Sequence, residues 1–359
     1  MKVIHFGIHN KENKNSGDTL LFQTTRDLFD LHFKEINWTL KNLWEPVDTE
    51  TIDLINEEMD CILIGGGGLF LKDQKGAEES VSGWQWNCSN DALKKIEKPI
   101  IIFGVGYNRF RNQEDFDPIF TESLQDLSKR CIFFGLRNTG SIENIKRYIG
   151  EDNPFYLQFC PTTILSKIYE DSKIESDGKI LSFNLAYDRP NYRFGRRENE
   201  IMEDLASFLK HVQENSDYNI HITLHKHIDA EILKYLPENL KYEVANLTES
   251  NAREIMEYYS KIDMAVGMRG HAQLIPFGFN KKIISIVSHN KMQYFLEDIE
   301  LNLGADVEST AFLEDLIGKF NNVKDSTSIS QELVDAQNKI WETTNSNFEY
   351  LRKKLSQKN

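Results

Sequence analysis

The chain has 359 residues, with 42 Lys and Arg against 56 Asp and Glu and a formal net charge of −14. That acid excess excludes wholesale nucleic-acid binding, and a composition 40% hydrophobic and 27% charged excludes a chain too polar to bury a core. Single cores stop growing at about 250–300 residues, so the length predicts two domains with a cleft between them.

In chain order, Val3-Ile4-His5-Phe6-Gly7 is a predicted strand, and the polar Lys11-Glu12-Asn13-Lys14 follows too soon for an export signal. Ser16-Gly17-Asp18-Thr19 then opens a predicted helix over 19–30. Asp18 suits the N-cap, and at a strand's mouth it also suits a general acid or base. The next strand, from Cys61, runs into Gly65-Gly66-Gly67-Gly68. Four glycines carry a large backbone entropy cost, which fits either a phosphate cradle or a tight strand-to-helix turn. Neither they nor Gly104-Val105-Gly106 complete GxGxxG, and GxxxxGK[ST] is absent, which argues against a dinucleotide cofactor and P-loop chemistry. Strands over 100–104 and 131–135 flank a helix over 115–129, and Arg137 follows the second of them.

A polar stretch over 166–179, with Asp177-Gly178 as a turn, separates this half from strands over 180–185, 219–224, 262–267 and 283–287. Helices over 198–213, 252–261 and 272–279 alternate with them, and residues 330–355 read as one or two polar helices. Continuous apolar strands alternating with helices predict an α/β protein of two Rossmann-like parallel-sheet domains, 1–168 and 178–325, facing a cleft, with a helical tail over 326–359.

Ligands in such sheets sit beyond the carboxyl ends of the strands, so the residues there are the candidates. Arg269 and His271 follow a buried strand at a helix start, where a guanidinium and free amides together suit an anion. Ser288 and Lys291 follow the last strong strand. His225 and His227 also end a strand but point oppositely if extended, which argues against a metal. Arg189, Arg193, Arg196 and Arg197 form a basic loop, either solvated or holding an anionic partner. Cys61, Cys88, Cys131 and Cys160 are irregularly spaced, which predicts reduced thiols in the cytoplasm. No apolar run approaches 18 residues, so any membrane contact is expected to be peripheral.

Gly17-Asp18, Ile64 to Gly68, Phe103 to Gly106, Leu136-Arg137, Cys160-Pro161, Gly267 to Ala272 and Ser288 to Lys291, in this order, resemble the polysaccharide pyruvyl transferase family from about Gly17 to Lys291. The resemblance implies a GT-B-like fold, phosphoenolpyruvate as donor, no cofactor and no metal. It also implies transfer of pyruvate to a sugar of a surface polysaccharide or its precursor as a ketal. The family's donor grips fall on Arg137, Arg269 and His271, with Ser288 and Lys291 beside them. Gly270 stands where the family commonly has leucine, and Asn138 where it often has an acid.

Ketal formation needs a proton donor and an anion clamp. His271 suits protonation of the leaving group, and Asp18, with His225 in reserve, suits deprotonation of a sugar hydroxyl. The acceptor, free or lipid-linked, is expected near Asp18 and the tetraglycine with Arg193, Arg196 and Arg197, and if it is lipid-linked its pyrophosphate is expected at the arginine loop, at the inner membrane face. Two other readings remain: a GT-B glycosyltransferase using a nucleotide sugar, and a glycan-binding protein without turnover.

Overall fold

The computed structural model describes residues 1–9, 15–169 and 179–357. The segment 11–14 and the Asp177-Gly178 turn lie outside the described residues. Two six-stranded, wholly parallel sheets form the molecule. The first contains β1 (Lys2–Gly7), β2 (Asn37–Asn42), β3 (Cys61–Phe70), β4 (Ile100–Tyr107), β5 (Cys131–Leu136) and β6 (Phe155–Leu157), in the order β2-β1-β3-β4-β5-β6. The second contains β7 (Ile180–Asn184), β8 (Asn219–Leu224), β9 (Glu243–Asn246), β10 (Met264–Gly267), β11 (Lys282–Val287) and β12 (Gly304–Asp306), in the order β12-β11-β10-β7-β8-β9. The strand order reverses between β1 and β3 and again between β7 and β10. Crevices open at the carboxyl ends of those pairs.

The apolar runs are central strands because both of their faces are covered by helices: Ile62, Leu63, Ile64 and Ile100 to Phe103 are fully buried. The strands with no apolar run, β2, β6, β9 and β12, are the four sheet edges. β9 is largely exposed, β2 has no buried residue, and β6 and β12 have three residues each, so neither a long run nor strict alternation marks them.

The tetraglycine departs from expectation. It is not a strand-to-helix turn but lies inside β3, which continues through it to Phe70. A Cβ on Gly65 would lie 2.1 Å from the Phe103 carbonyl oxygen, and φ is +150° there, so close approach to β4 requires glycine.

The tail is also not polar throughout. A single helix, Thr327–Ser356, buries Leu333, Ala336, Ile340, Phe348 and Leu351 along one stripe and spans both halves. Gln337 donates to the Phe277 and Gly278 carbonyls at 3.1 and 2.9 Å, while Asn347 donates to the Leu157 carbonyl at 2.8 Å. The Phe348 ring packs against Phe29 and Phe103, burying a side chain worth about 1.5–3 kcal/mol. Across the cleft, Arg111 forms a two-pronged ion pair with Asp306, both contacts at 2.7 Å. The two sets of strand ends are thereby held against each other.

Candidate anion-binding site

Between the sheets lies a cavity of about 110 Å³, lined from the first half by Asn15, Asp18, Gly68, Gln85, Asn108 and Arg137, and from the second by Asp188, Arg193, Lys226, Arg269, Gly270, His271 and Lys291. Helix Gly270–Gly278 follows β10 and presents its N-terminus to the cavity, with Arg269 as N-cap. Its free amides suit an anion.

Arg269 is held from beneath. Asp229, fully buried, accepts from Arg269 Nε at 2.8 Å and Nη2 at 2.5 Å, and from the backbone N–H of His225 and Lys226 at 3.1 and 3.0 Å. Arg269 Nη1 reaches Asp188 at 2.9 Å. Burial works against the Arg269 charge, but Asp188 and Asp229 outweigh it and hold the guanidinium pKa above its ordinary value. Asp188 also pairs with Arg193 Nη2 at 3.1 Å, and Arg193 Nη1 donates to Ser288 Oγ at 2.9 Å. Burial alone would raise the Asp188 carboxyl, yet Arg193, Arg269 and Lys291 hold it well below the usual carboxylate range.

Arg137 and Lys291 differ, because neither reaches a carboxylate among the described residues. Arg137, 9% exposed, leaves Nη2 without a hydrogen-bond partner, and burial pulls its pKa down. Its guanidinium lies on the backbone of β4: a Cβ on Gly106 would meet Arg137 Nε at 2.0 Å. Lys291 donates to Asn108 Oδ1 at 2.9 Å, and burial followed by Arg193 and Arg137 pulls its pKa well down. His271 Nδ1 stands 3.8 Å from Asp18 Oδ1. Burial lowers its pKa to about 4, with Asp18 opposing, so the imidazole is neutral at neutral pH.

The cavity therefore gathers Asp18, Arg137, Arg193, Arg269, His271 and Lys291, all expected from their strand-end positions, together with Gly68. Ser288 acts through Arg193. Four placements need correction. Asp18 is not the N-cap: Asn15 caps helix Ser16–His32, and Asp18 sits in its first turn, accepting from Asn15 Nδ2 at 2.9 Å. Of the four glycines only Gly68 lines the cavity; Gly65, Gly66 and Gly67 precede it in the same strand. His225 does not reach it either: fully buried, it pairs through Nε2 with the Tyr259 hydroxyl, and burial keeps it uncharged. The arginine loop does not act as one patch. Arg193 turns inward to Asp188, Arg196 is exposed, and Arg197 is engaged by Glu200 and the Val307 and Ser309 carbonyls. His227 points outward towards Glu249, away from His225.

Asp188, Asp229, Lys226 and Asn108 were not expected. Each closely follows a strand (β7, β8 or β4), so weighing every strand-end residue equally would have found them.

The polysaccharide pyruvyl transferase family model matches residues 12–290. No curated protein matches the chain by sequence. Among solved structures the chain is similar to Staphylococcus aureus MnaA in complex with UDP (12% identity, 93% of this chain and 91% of that one, TM-score 0.57). It is also similar to the UDP-GlcNAc 2-epimerase of Neisseria meningitidis bound to UDP-GlcNAc (12%, 96% and 100%, 0.55) and an α-glucosyltransferase in complex with UDP (12%, 99% and 100%, 0.51). These likenesses establish the fold, two facing parallel sheets of GT-B type.

Proposed function

The chain belongs to the polysaccharide pyruvyl transferase family, and from that premise we propose that it transfers pyruvate from phosphoenolpyruvate to a sugar as a ketal, releasing phosphate. The observation that carries this is the pair of buried cations without carboxylate partners, Arg137 and Lys291, beside Arg193 and Arg269 at a helix N-terminus. Five cations face three carboxylates, Asp18, Asp188 and Asp229, so the site favours a small, multiply charged anion. The cavity's 110 Å³ falls below the roughly 300–1,000 Å³ of pockets for drug-sized ligands, which fits the compact donor better than a nucleotide sugar.

In this reading Arg137, Arg269 and Lys291 hold the donor's carboxylate and phosphate. Asp18 takes the proton of the attacking sugar hydroxyl, and His271 hydrogen-bonds the leaving phosphate. Arginine and lysine supply the countercharge, so the reaction needs no cofactor. The acceptor approaches past the neutral side chains of the first half, such as Gln85 and Asn15, since Arg193 is already engaged. The acceptor is a surface-polysaccharide precursor, lipid-linked or free, met in the cytoplasm. No helix among the described residues is long and apolar enough to cross a membrane.

The test is thermal stabilisation, because a ligand that binds only the folded state raises the unfolding midpoint. Phosphoenolpyruvate is expected to raise it and UDP- or GDP-sugars to leave it unchanged. The reverse pattern would support a nucleotide-sugar glycosyltransferase instead.

Donor binding should also take up protons. Lys291 binds its proton more weakly in the free protein than in water, burial being the largest cause, and a bound anion raises its pKa. Affinity therefore falls as pH rises above the lowered pKa of the free Lys291 ammonium. Calorimetry in two buffers of different ionisation enthalpy should show proton uptake when the donor binds. Proton release would contradict the assignment.

A further inference from the structure

A second, smaller chamber of about 20 Å³ opens beside the cavity and shares Arg137, Gly270, Leu274 and Lys291 with it. At roughly 10–15 Å³ per water, it has room for one or two waters, about the size of a methyl group. Leu274 and Phe295 give it an apolar wall, and Cys160 presents the one thiol there. Two buried polar atoms on its lining residues have no partner: Arg137 Nη2 and Gln273 Oε1. Cys160 Sγ lies 3.1 Å from Thr162 Oγ1 and 3.7 Å from His271 Nε2, and the other His271 nitrogen faces Asp18 at 3.8 Å. Thiol, imidazole and carboxylate thus form a line from the chamber to the position assigned to the acceptor hydroxyl.

Resting on the donor reading above, we propose that this chamber receives the methylene carbon of phosphoenolpyruvate and that Cys160 is a further catalytic residue, the acid that protonates it. The S–H bond breaks as the C–H bond forms at C3, turning methylene into methyl. The acceptor oxygen bonds to C2, and its proton passes to Asp18. Asp18 returns that proton to His271 Nδ1 while His271 Nε2–H donates to the thiolate, which restores all three groups. In the second stage another hydroxyl bonds to C2 as the C2–O bond to phosphate breaks, and its proton leaves with the phosphate.

The apolar wall suits a carbon that gains no charge, while Arg137 and Lys291 hold the charged groups next to it. Burial pushes the Cys160 thiol up, so it carries its proton at neutral pH, as an acid must. The 3.7 and 3.8 Å separations are loose for hydrogen bonds. Catalytic contacts in a ligand-free site commonly tighten only when substrate binds.

The test uses the full chain with phosphoenolpyruvate in deuterium oxide, with methyl galactoside, glucoside and mannoside as acceptors and solvent itself as a fallback nucleophile. Proton NMR follows deuterium arriving at C3, and phosphate release is measured alongside. Cys160→Ser is expected to slow deuterium incorporation about 100-fold, the contribution of a positioned acid, while phosphoenolpyruvate still stabilises the variant as it does the wild type. Cys160→Ala carries the same expectation and replaces it should the serine variant not fold. Incorporation within about threefold of wild type in either variant overturns the proposal, as does a wild-type chain that binds phosphoenolpyruvate and never labels C3. A wild-type chain that phosphoenolpyruvate does not stabilise overturns the donor reading itself, and this inference with it.

Discussion

Replacing Arg269 by Ala is expected to lower the unfolding free energy by about 3–5 kcal/mol, because Asp229 would remain fully buried without its cation. In the proposed reaction Arg269 grips the donor, so its loss should also lower turnover by about 100-fold or more. Urea unfolding and steady-state phosphate release measure the two effects separately. The double variant Arg269→Met with Asp229→Leu should recover most of the stability and none of the activity, since it removes both charges of the pair. An unchanged unfolding midpoint in Arg269→Ala would show that the Asp229 pair does not contribute as the geometry implies.

Arg137→Met is expected to behave in the opposite way towards stability. Arg137 is as buried as Arg269 but has no carboxylate partner among the described residues, so its charge opposes folding. An apolar side chain of similar length should leave stability level or raise it by about 1 kcal/mol. Turnover should still fall about 100-fold, with loss of the thermal shift on adding phosphoenolpyruvate. Lost stability together with retained donor binding would count against both assignments. The contrast between these two arginines tests whether the site stores an unsatisfied demand for an anion, a common cost of function at binding sites.

Much of the candidate site was legible because apolar strands buried on both faces are easy to recognise, and whatever follows them stands at the sheet's carboxyl edge. Arg137, Arg269, His271 and Lys291 were found in that way and line one cavity. Asp188 escaped notice because it lies four residues beyond the end of β7, within a loop whose arginines drew attention first. Asp229 lies in the turn after β8, where the two histidines invited a metal reading instead. The tetraglycine misled because glycine's freedom serves a close strand contact as well as a ligand cradle, and composition does not separate the two. The tail looked polar because only one stripe of its 30 residues is buried.

The sequence by itself determined the two-sheet α/β architecture and the strand-end positions of the cations, since periodicity and apolar run length report local burial directly. Only the tertiary structure decided which charges meet. Arg193 and Arg196 are three residues apart, yet one turns inward to Asp188 and the other faces solvent. Arg269 receives two carboxylates and Arg137 none. Pairing depends on how the segments after β7, β8 and β10 converge at the carboxyl edge of the second sheet. Asp229 meets Arg269 from 40 residues away, a separation at which no local pattern carries the information. The same packing places a locally cationic cavity inside a chain of net charge −14.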